Sequence, residues 1–351
     1  MPTTLIANTF PEHWSYGKYE IDIHHSLAQQ MDQKWPGANN LLMGTTWLGD
    51  ITDQLIQAQK LAGTKFENLV ITSTVDAAFN FQVYPLIDYL VKTFEIKNVY
   101  RVGNFDGDYE FNLFAIACLD NFKSYTELDL VLTDLKWRYC AYNRKPYLHR
   151  IQLVQELVDQ NLEAHGVITL GKSFPGDPDH GLYRSIGEKN QDYVQWGHWY
   201  ANSLTATPHE IPHDLYSLHN WPVWQQHFLH IVGSTSCHNE PDTFVNQINF
   251  KPLIGMRPYV INGQTKQYDY LLRNGFRTFN RYWPQFNVEQ GYNNSAQLAK
   301  TLTNLVKWLV AKSDREILDM YSDMLPDLIH NRQRWFEWAK EQQFKVNNLF
   351  Q

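Results

Sequence analysis

No apolar run in the chain approaches the roughly 18 residues that a membrane-spanning helix needs. The opening, MPTTLIANTFPEHW, has neither the basic nor the apolar region of a secretory leader. No membrane span and no export by that route are expected. Cysteine is scarce: Cys118, Cys140 and Cys237 are widely spaced and odd in number, which fits buried thiols in a reducing, cytoplasmic setting better than a disulfide framework or a zinc site. Positive charge is also short. Lys and Arg number 30 against 37 Asp and Glu, for a formal net charge of -7. That balance argues against a chain that coats nucleic acid, while still allowing a local basic groove. There is no Walker loop, no G-x-S-x-G and no H-E-x-x-H. Gly171-Lys172-Ser173 lacks the upstream glycine of a P-loop, so ATP hydrolysis is disfavoured.

What the chain has is apolar mass and regular alternation. Its 351 residues, 43% of them hydrophobic, suffice for two domains with ordinary cores. Aromatics reach 15%; sugars stack on such rings, but well-filled cores account for most of them. Strand-like runs at Tyr19–Ile23, Asn40–Gly44, Leu69–Thr72, Val99–Val102 and Leu128–Leu132 are separated by helical patterns near Asp50–Ala62 and Ala77–Thr93. Such spacing predicts an α/β fold with parallel strands wrapped by helices. A second series runs through Arg138–Tyr142, Gly166–Leu170 and Phe228–Gly233. After it come a loop, a helix opened by Asp242 or Thr243 and kinked or ended at Pro252, the strand Arg257–Ile261 and a further helix. The tail reads as helices over Asn294–Lys312, Asp314–Ser322 and Leu325–Gln343. The expectation is two Rossmann-like domains facing a cleft, 1–136 and 137–320, with 321–351 as a helix returning to the first.

Several residues fall where such a fold places ligands, at the carboxyl ends of strands. Asn143-Arg144-Lys145-Pro146-Tyr147-Leu148-His149-Arg150 is a strand end followed by a helix start, with Ile151, Val154, Leu157 and Val158 as the buried face. Cations beside the free amides of a helix start oppose its dipole, an arrangement that suits a bound phosphate. His238 and Glu240 lie in the loop after Phe228–Gly233. Asp106, in Gly103-Asn104-Phe105-Asp106-Gly107-Asp108, follows Val99–Val102, where a carboxylate could act as general base. Asp76 and His25, with His24 beside it, are further candidates for that base. Asp106-Gly107-Asp108 and Asp177-Pro178-Asp179 both have the form of a metal-holding triplet, but Asp, Gly and Pro make ordinary turns, the favoured reading at Asp177 and Asp179, and no metal is expected.

Two of these stretches resemble a known family. Asn143–Arg150 is similar to NRRPRPHR. Phe250-Lys251-Pro252, followed by a short strand and Leu271-x-x-x-Gly275-Phe276-Arg277-Thr278-Phe279, is similar to the FITEKTFKP and L-x-x-x-GF-[KR]-TF signature of largely bacteriophage-encoded glycosyltransferase-like proteins. The Glu-Lys pair of that signature has a counterpart in the donor-nucleotide site of fucosyltransferases. The resemblance implies a two-Rossmann (GT-B) glycosyltransferase, with a nucleotide-diphosphate sugar such as a UDP-sugar bound to the second domain and the acceptor to the first. It implies no cofactor and no metal. Hydroxymethylated pyrimidines in phage DNA are the first acceptor it suggests, and a surface polysaccharide or lipid-linked sugar the second. Carried over by position, Asn143, Arg144, His149, Arg150, Asn246, Gln247 and Lys251 would line the donor site. Gln247 and Ile248 stand where the family has Glu and Lys. Ile cannot offset a diphosphate, so either another cation does so, with Arg150 or Arg144 the nearest supply, or the donor site has decayed into a non-catalytic nucleotide or sugar-binding module.

Overall fold

Two parallel sheets carry the chain. The computed structural model describes residues 4–7, 17–45, 59–61, 63–73, 83–103, 109–123, 125–143, 147–170, 218, 221–234, 245, 247–290, 292 and 294–350. The chain divides into two units built from non-contiguous segments. One comprises Met1–Asp120, Glu240–Asn246 and Phe336–Gln351; the other comprises Asn121–Asn239 and Gln247–Trp335.

In the first unit β1 (Leu5–Ala7), β2 (Asn40–Thr45), β3 (Asn68–Ser73), β4 (Asn98–Gly103) and β5 (Tyr109–Glu110) lie side by side in chain order, all parallel. Leu41, Leu42 and Met43 of β2 and Leu69, Val70 and Ile71 of β3 are buried without alternation, as strands covered on both faces require. The helix α1 is Gly17–Lys34; α2 (Val83–Phe94) sets Leu86, Leu90 and Phe94 against Leu41, Met43, Leu69 and Ile71, and α3 is Leu113–Phe122. The amino edge of this sheet is fastened by side-chain amides. Asn40, Asn68 and Asn98 open β2, β3 and β4 in register, and Asn98 Nδ2 donates to Asn68 Oδ1 at 2.9 Å as Asn68 Nδ2 does to Asn40 Oδ1 at 2.8 Å. Asn112 joins the later segments to this unit through Nδ2 to Val245 O (3.0 Å) and its backbone N–H to Gln342 Oε1 (3.1 Å).

The second unit holds α4 (Glu127–Leu130), β6 (Trp137–Asn143), α5 (Leu148–Asp159), β7 (Gly166–Leu170), α6 (Trp221–Gln226), β8 (His227–Gly233), α7 (Gln247–Ile254), β9 (Tyr259–Asn262), α8 (Lys266–Arg273) and α9 (Ser295–Val310). Its sheet runs β7-β6-β8-β9, all parallel. From β6 the chain steps one way to β7, and from β8 it steps the other way to β9. The direction of winding therefore reverses between β6 and β8. The last helix, α10 (Asp314–Asn347), begins in this unit and ends in the first.

Three expected elements differ. Tyr19–Ile23 is part of α1, not a strand, because Ile23, Leu27 and Met31 recur at helical spacing and are all buried. His24 and His25 consequently lie within a helix. Leu128–Leu132 is not a strand either. Thr126 and Asp129 form a capping box that starts α4, and Leu128 is 88% exposed. The two helices expected over Asp314–Gln343 are one, with Pro326 inside; buried Ile317, Tyr321, Met324, Leu328, Trp335 and Trp338 continue one stripe past the proline. Pro252 likewise lies within α7, which runs on to Ile254.

Arg257 is fully buried, and among the described residues no carboxylate pairs with it. Its guanidinium donates to Leu130 O and Trp224 O at 2.7 Å, Met256 O at 2.9 Å and Tyr321 Oη at 3.2 Å, so carbonyl dipoles take the place of a counter-ion.

His24 supplies a pH dependence. Its Nε2 lies 2.7 Å from Thr72 Oγ1, and burial, aided by neighbouring His25, lowers it from 6.5 to about 4. The unfolded chain takes up this proton below its ordinary value, whereas the folded chain refuses it until about 4. The stabilisation is complete above the ordinary value and is lost as pH falls toward the folded one. Between about pH 7 and about pH 5 this one group should remove about 2 kcal/mol. Urea midpoints of wild type and His24→Asn at both pH values check it, and an unchanged difference in the variant would assign the acid sensitivity elsewhere.

Candidate functional site

In open parallel sheets, ligands bind beyond the carboxyl ends of the strands where the winding reverses. Here that point lies beyond the ends of β6 and β8, and the residues there are polar and buried. Asn143 ends β6, Gly233 and Ser234 end β8, Asn262 ends β9, and His149 and Arg150 lie in the first turn of α5. The sequence builds this edge by closing each apolar strand run on a polar residue.

Arg150 joins the strands. Its Nη2 donates to Gly233 O at 2.7 Å and Ser234 O at 2.9 Å, its Nε donates to Ser234 O at 3.2 Å, and its guanidinium lies 4.6 Å from the centroid of the Tyr147 ring. His149 Nε2 also faces Ser234 O, at 2.8 Å, and since a carbonyl only accepts, that nitrogen carries the proton. A chain of amides continues outward: Gln267 Nε2 donates to Ser234 Oγ at 2.7 Å, and Asn249 Nδ2 donates to Gln267 Oε1 at 3.3 Å. Gly233 makes room for this arrangement, because a Cβ there would lie 2.4 Å from Asn143 Oδ1.

Two oxygens at this edge are left over. Asn143 Nδ2 donates to Ala141 O at 3.3 Å and Asn262 Nδ2 donates to His149 O at 3.1 Å, which fixes which end of each amide is nitrogen. Asn143 Oδ1 and Asn262 Oδ1 are buried and, among the described residues, accept no hydrogen bond. Each such oxygen costs about 1–3 kcal/mol until a donor reaches it. The edge therefore calls for hydroxyl or N–H groups.

The structure brings together Asn143, His149 and Arg150. Arg150, a candidate cation for the diphosphate, is 3% exposed and holds strand ends together. Lys251 is buried on α7, Ile248 is half-buried there, and Gln247 opens that helix. His25 is exposed on α1. Asp76, Asp106, Asp108, Arg144, Asp177, Asp179, His238, Glu240 and Asn246 lie outside the described residues. Ser234, Asn249, Asn262, Gln264 and Gln267 are buried polar residues that sequence reasoning missed; the signal was the polar run Asn262-Gly263-Gln264 directly after an apolar strand.

The Gly275–Phe279 signature has a structural role. Gly275, at φ 84°, and Phe276 close α8, Gly275 N–H donating to Leu272 O and Phe276 N–H to Leu271 O, both at 3.0 Å. Arg277 and Arg281 both pair with Asp327 of α10, and Asn331 Oδ1 accepts from Arg277 N–H at 2.7 Å. A pocket of about 190 Å³ belongs to the first unit, lined by Asp22, Ile23, Ser26, Ile116, Gln343 and Val346, and holds none of the predicted site residues.

No protein-family model matches the chain, and no curated protein is significantly similar to it. The glycosyltransferase resemblance rests on its motifs.

Arg150→Ala should destabilise the protein by about 2–3 kcal/mol, since it takes the guanidinium from Gly233 O and leaves Ser234 O with His149 as its remaining side-chain donor, and Arg150→Lys should restore only part of the loss. Chemical denaturation of the three proteins measures this. Equal stability of wild type and Arg150→Ala would show that the guanidinium does not hold β8 to α5.

Proposed function

We propose that the chain is a two-Rossmann (GT-B type) glycosyltransferase. It would move a sugar from a nucleotide-diphosphate donor, a UDP-sugar by preference, to a hydroxyl on a hydroxymethylated pyrimidine in DNA. The observation that carries the reading is the reversal of winding between β6 and β8, with two buried amide oxygens beside it that need donors. Ribose and sugar hydroxyls are such donors. Asn143 and Asn262 would take them. Arg150 is committed to β8 carbonyls, so the candidate cation for the leaving diphosphate becomes Arg144, which follows Asn143 in the chain. Asp106, with Asp76 as alternate, remains the proposed base on the acceptor hydroxyl, and the motif resemblance assigns the acceptor to the first unit. A DNA acceptor would have to present its base out of the stack.

A second reading, a nucleotide or sugar-binding module without catalysis, is favoured by the half-buried Ile248 at the position of the family lysine. The two readings part in one experiment. The purified chain is incubated with a UDP-sugar and hydroxymethylated DNA in EDTA, and the DNA is digested to nucleosides for mass spectrometry. The expected product is a nucleoside heavier by one sugar. Turnover of the UDP-sugar without that product would reject the DNA acceptor, and donor binding without any turnover would reject catalysis. Calorimetry with UDP should also show binding about tenfold tighter in Ile248→Lys, the gain of one charge-assisted contact.

A further inference from the structure

Within the second sheet lies a group of side chains that the proposed transfer does not use. Cys140 on β6 pairs in register with His230 on β8, and His227 opens the same strand. All three are buried, and one ligand atom from each lies within 4.8 Å of the others. From these residues we propose that the chain binds one soft, thiophilic d10 cation, copper(I) ahead of zinc(II), through Cys140 Sγ, His227 Nε2 and His230 Nδ1.

Geometry and orientation support it. His227 Nδ1 lies 2.9 Å from Val223 O and must donate to it, which leaves the lone pair on Nε2. A backbone carbonyl on the far nitrogen is how ligating imidazoles are commonly oriented. His227 Nε2 and His230 Nδ1 are 3.3 Å apart. Two imidazole nitrogens about 2.0 Å from one ion are separated by about 3.3 Å at a tetrahedral angle and about 3.5 Å at a trigonal one, so the pair is close to the bite of either ion. The Trp224 ring packs on both imidazoles, with centroids 5.1 and 5.0 Å away, and limits their rotation.

Charge selects the ion. Cys140 must lose its proton to solvent on binding, giving one thiolate and two neutral imidazoles. With copper(I) that set is neutral and needs no fourth ligand. Zinc(II) leaves a net positive charge among three fully buried ligands. The group lies among the paired residues of β6 and β8 rather than at their carboxyl ends, so this inference stands apart from the transferase reading.

The test uses the purified full chain, stripped of metal, titrated with copper(I) and separately with zinc(II) against a chromophoric chelator. One equivalent should bind, be lost in Cys140→Ser and His227→Asn, and raise the midpoint of thermal unfolding in wild type alone. X-ray absorption of the copper-loaded wild type needs no variant and should show one sulfur and two nitrogens. Failure to bind either ion, binding that persists unchanged in Cys140→Ser, or a metal shell without sulfur would overturn the proposal.

Discussion

The second sheet depends on one buried cation. Arg150, in the first turn of α5, holds the terminal carbonyls of β8 with three hydrogen bonds, so the helix that follows β6 is fastened to the strand beside β6. That is the place where the winding reverses, and strands that diverge there leave carbonyls without ladder partners. A guanidinium suits the task because its planar fork reaches two successive carbonyls at once. The arrangement in turn presses Asn143 against Gly233, where only a hydrogen leaves room.

The same solution recurs elsewhere in this unit. Arg257 is enclosed by carbonyl oxygens from four residues and a tyrosine hydroxyl, with no acid among its hydrogen-bond partners in the described residues. Asp327, nearly buried, is matched by Arg277 and Arg281 and accepts from Tyr282. In the first unit a ladder of asparagine amides ties the starts of β2, β3 and β4 together. Tyr259 Oη, Trp283 Nε1 and Thr303 Oγ1 are buried without a hydrogen-bond partner among the described residues, as are Asn143 Oδ1 and Asn262 Oδ1; what distinguishes the last two is their place at the carboxyl ends of β6 and β9.

Strands with continuous apolar runs, such as Leu69–Thr72 and Phe228–Gly233, were legible because covered parallel strands tolerate little else. Tyr19–Ile23 misled because five residues cannot separate alternation from a helical stripe that continues to Met31. Leu128 misled because apolar character does not reveal exposure, although Thr126 and Asp129 did carry a helix-start signal. At the candidate site the positions of Asn143, His149 and Arg150 were legible as strand end and helix start. The role of Arg150 was not, since a cation at a helix start has the same sequence whether it meets a phosphate or the carbonyls of a distant strand. Asn262 and Gln267 come together with Ser234 only through the sheet order. Gly275-Phe276, part of a family-like signature, is a helix stop with its own backbone reason.

In the proposed transferase a nucleotide-bearing ligand would occupy the edge where β6 and β8 diverge and complete the hydrogen bonding of Asn143 and Asn262. Amide hydrogen exchange of the full chain with and without a saturating UDP-sugar addresses it most directly. Slowed exchange is expected at the end of β6, the first turns of α5 and α7, and the residues following β8 and β9. Binding that slows exchange only in other segments, or leaves those backbone amides unchanged, would contradict it.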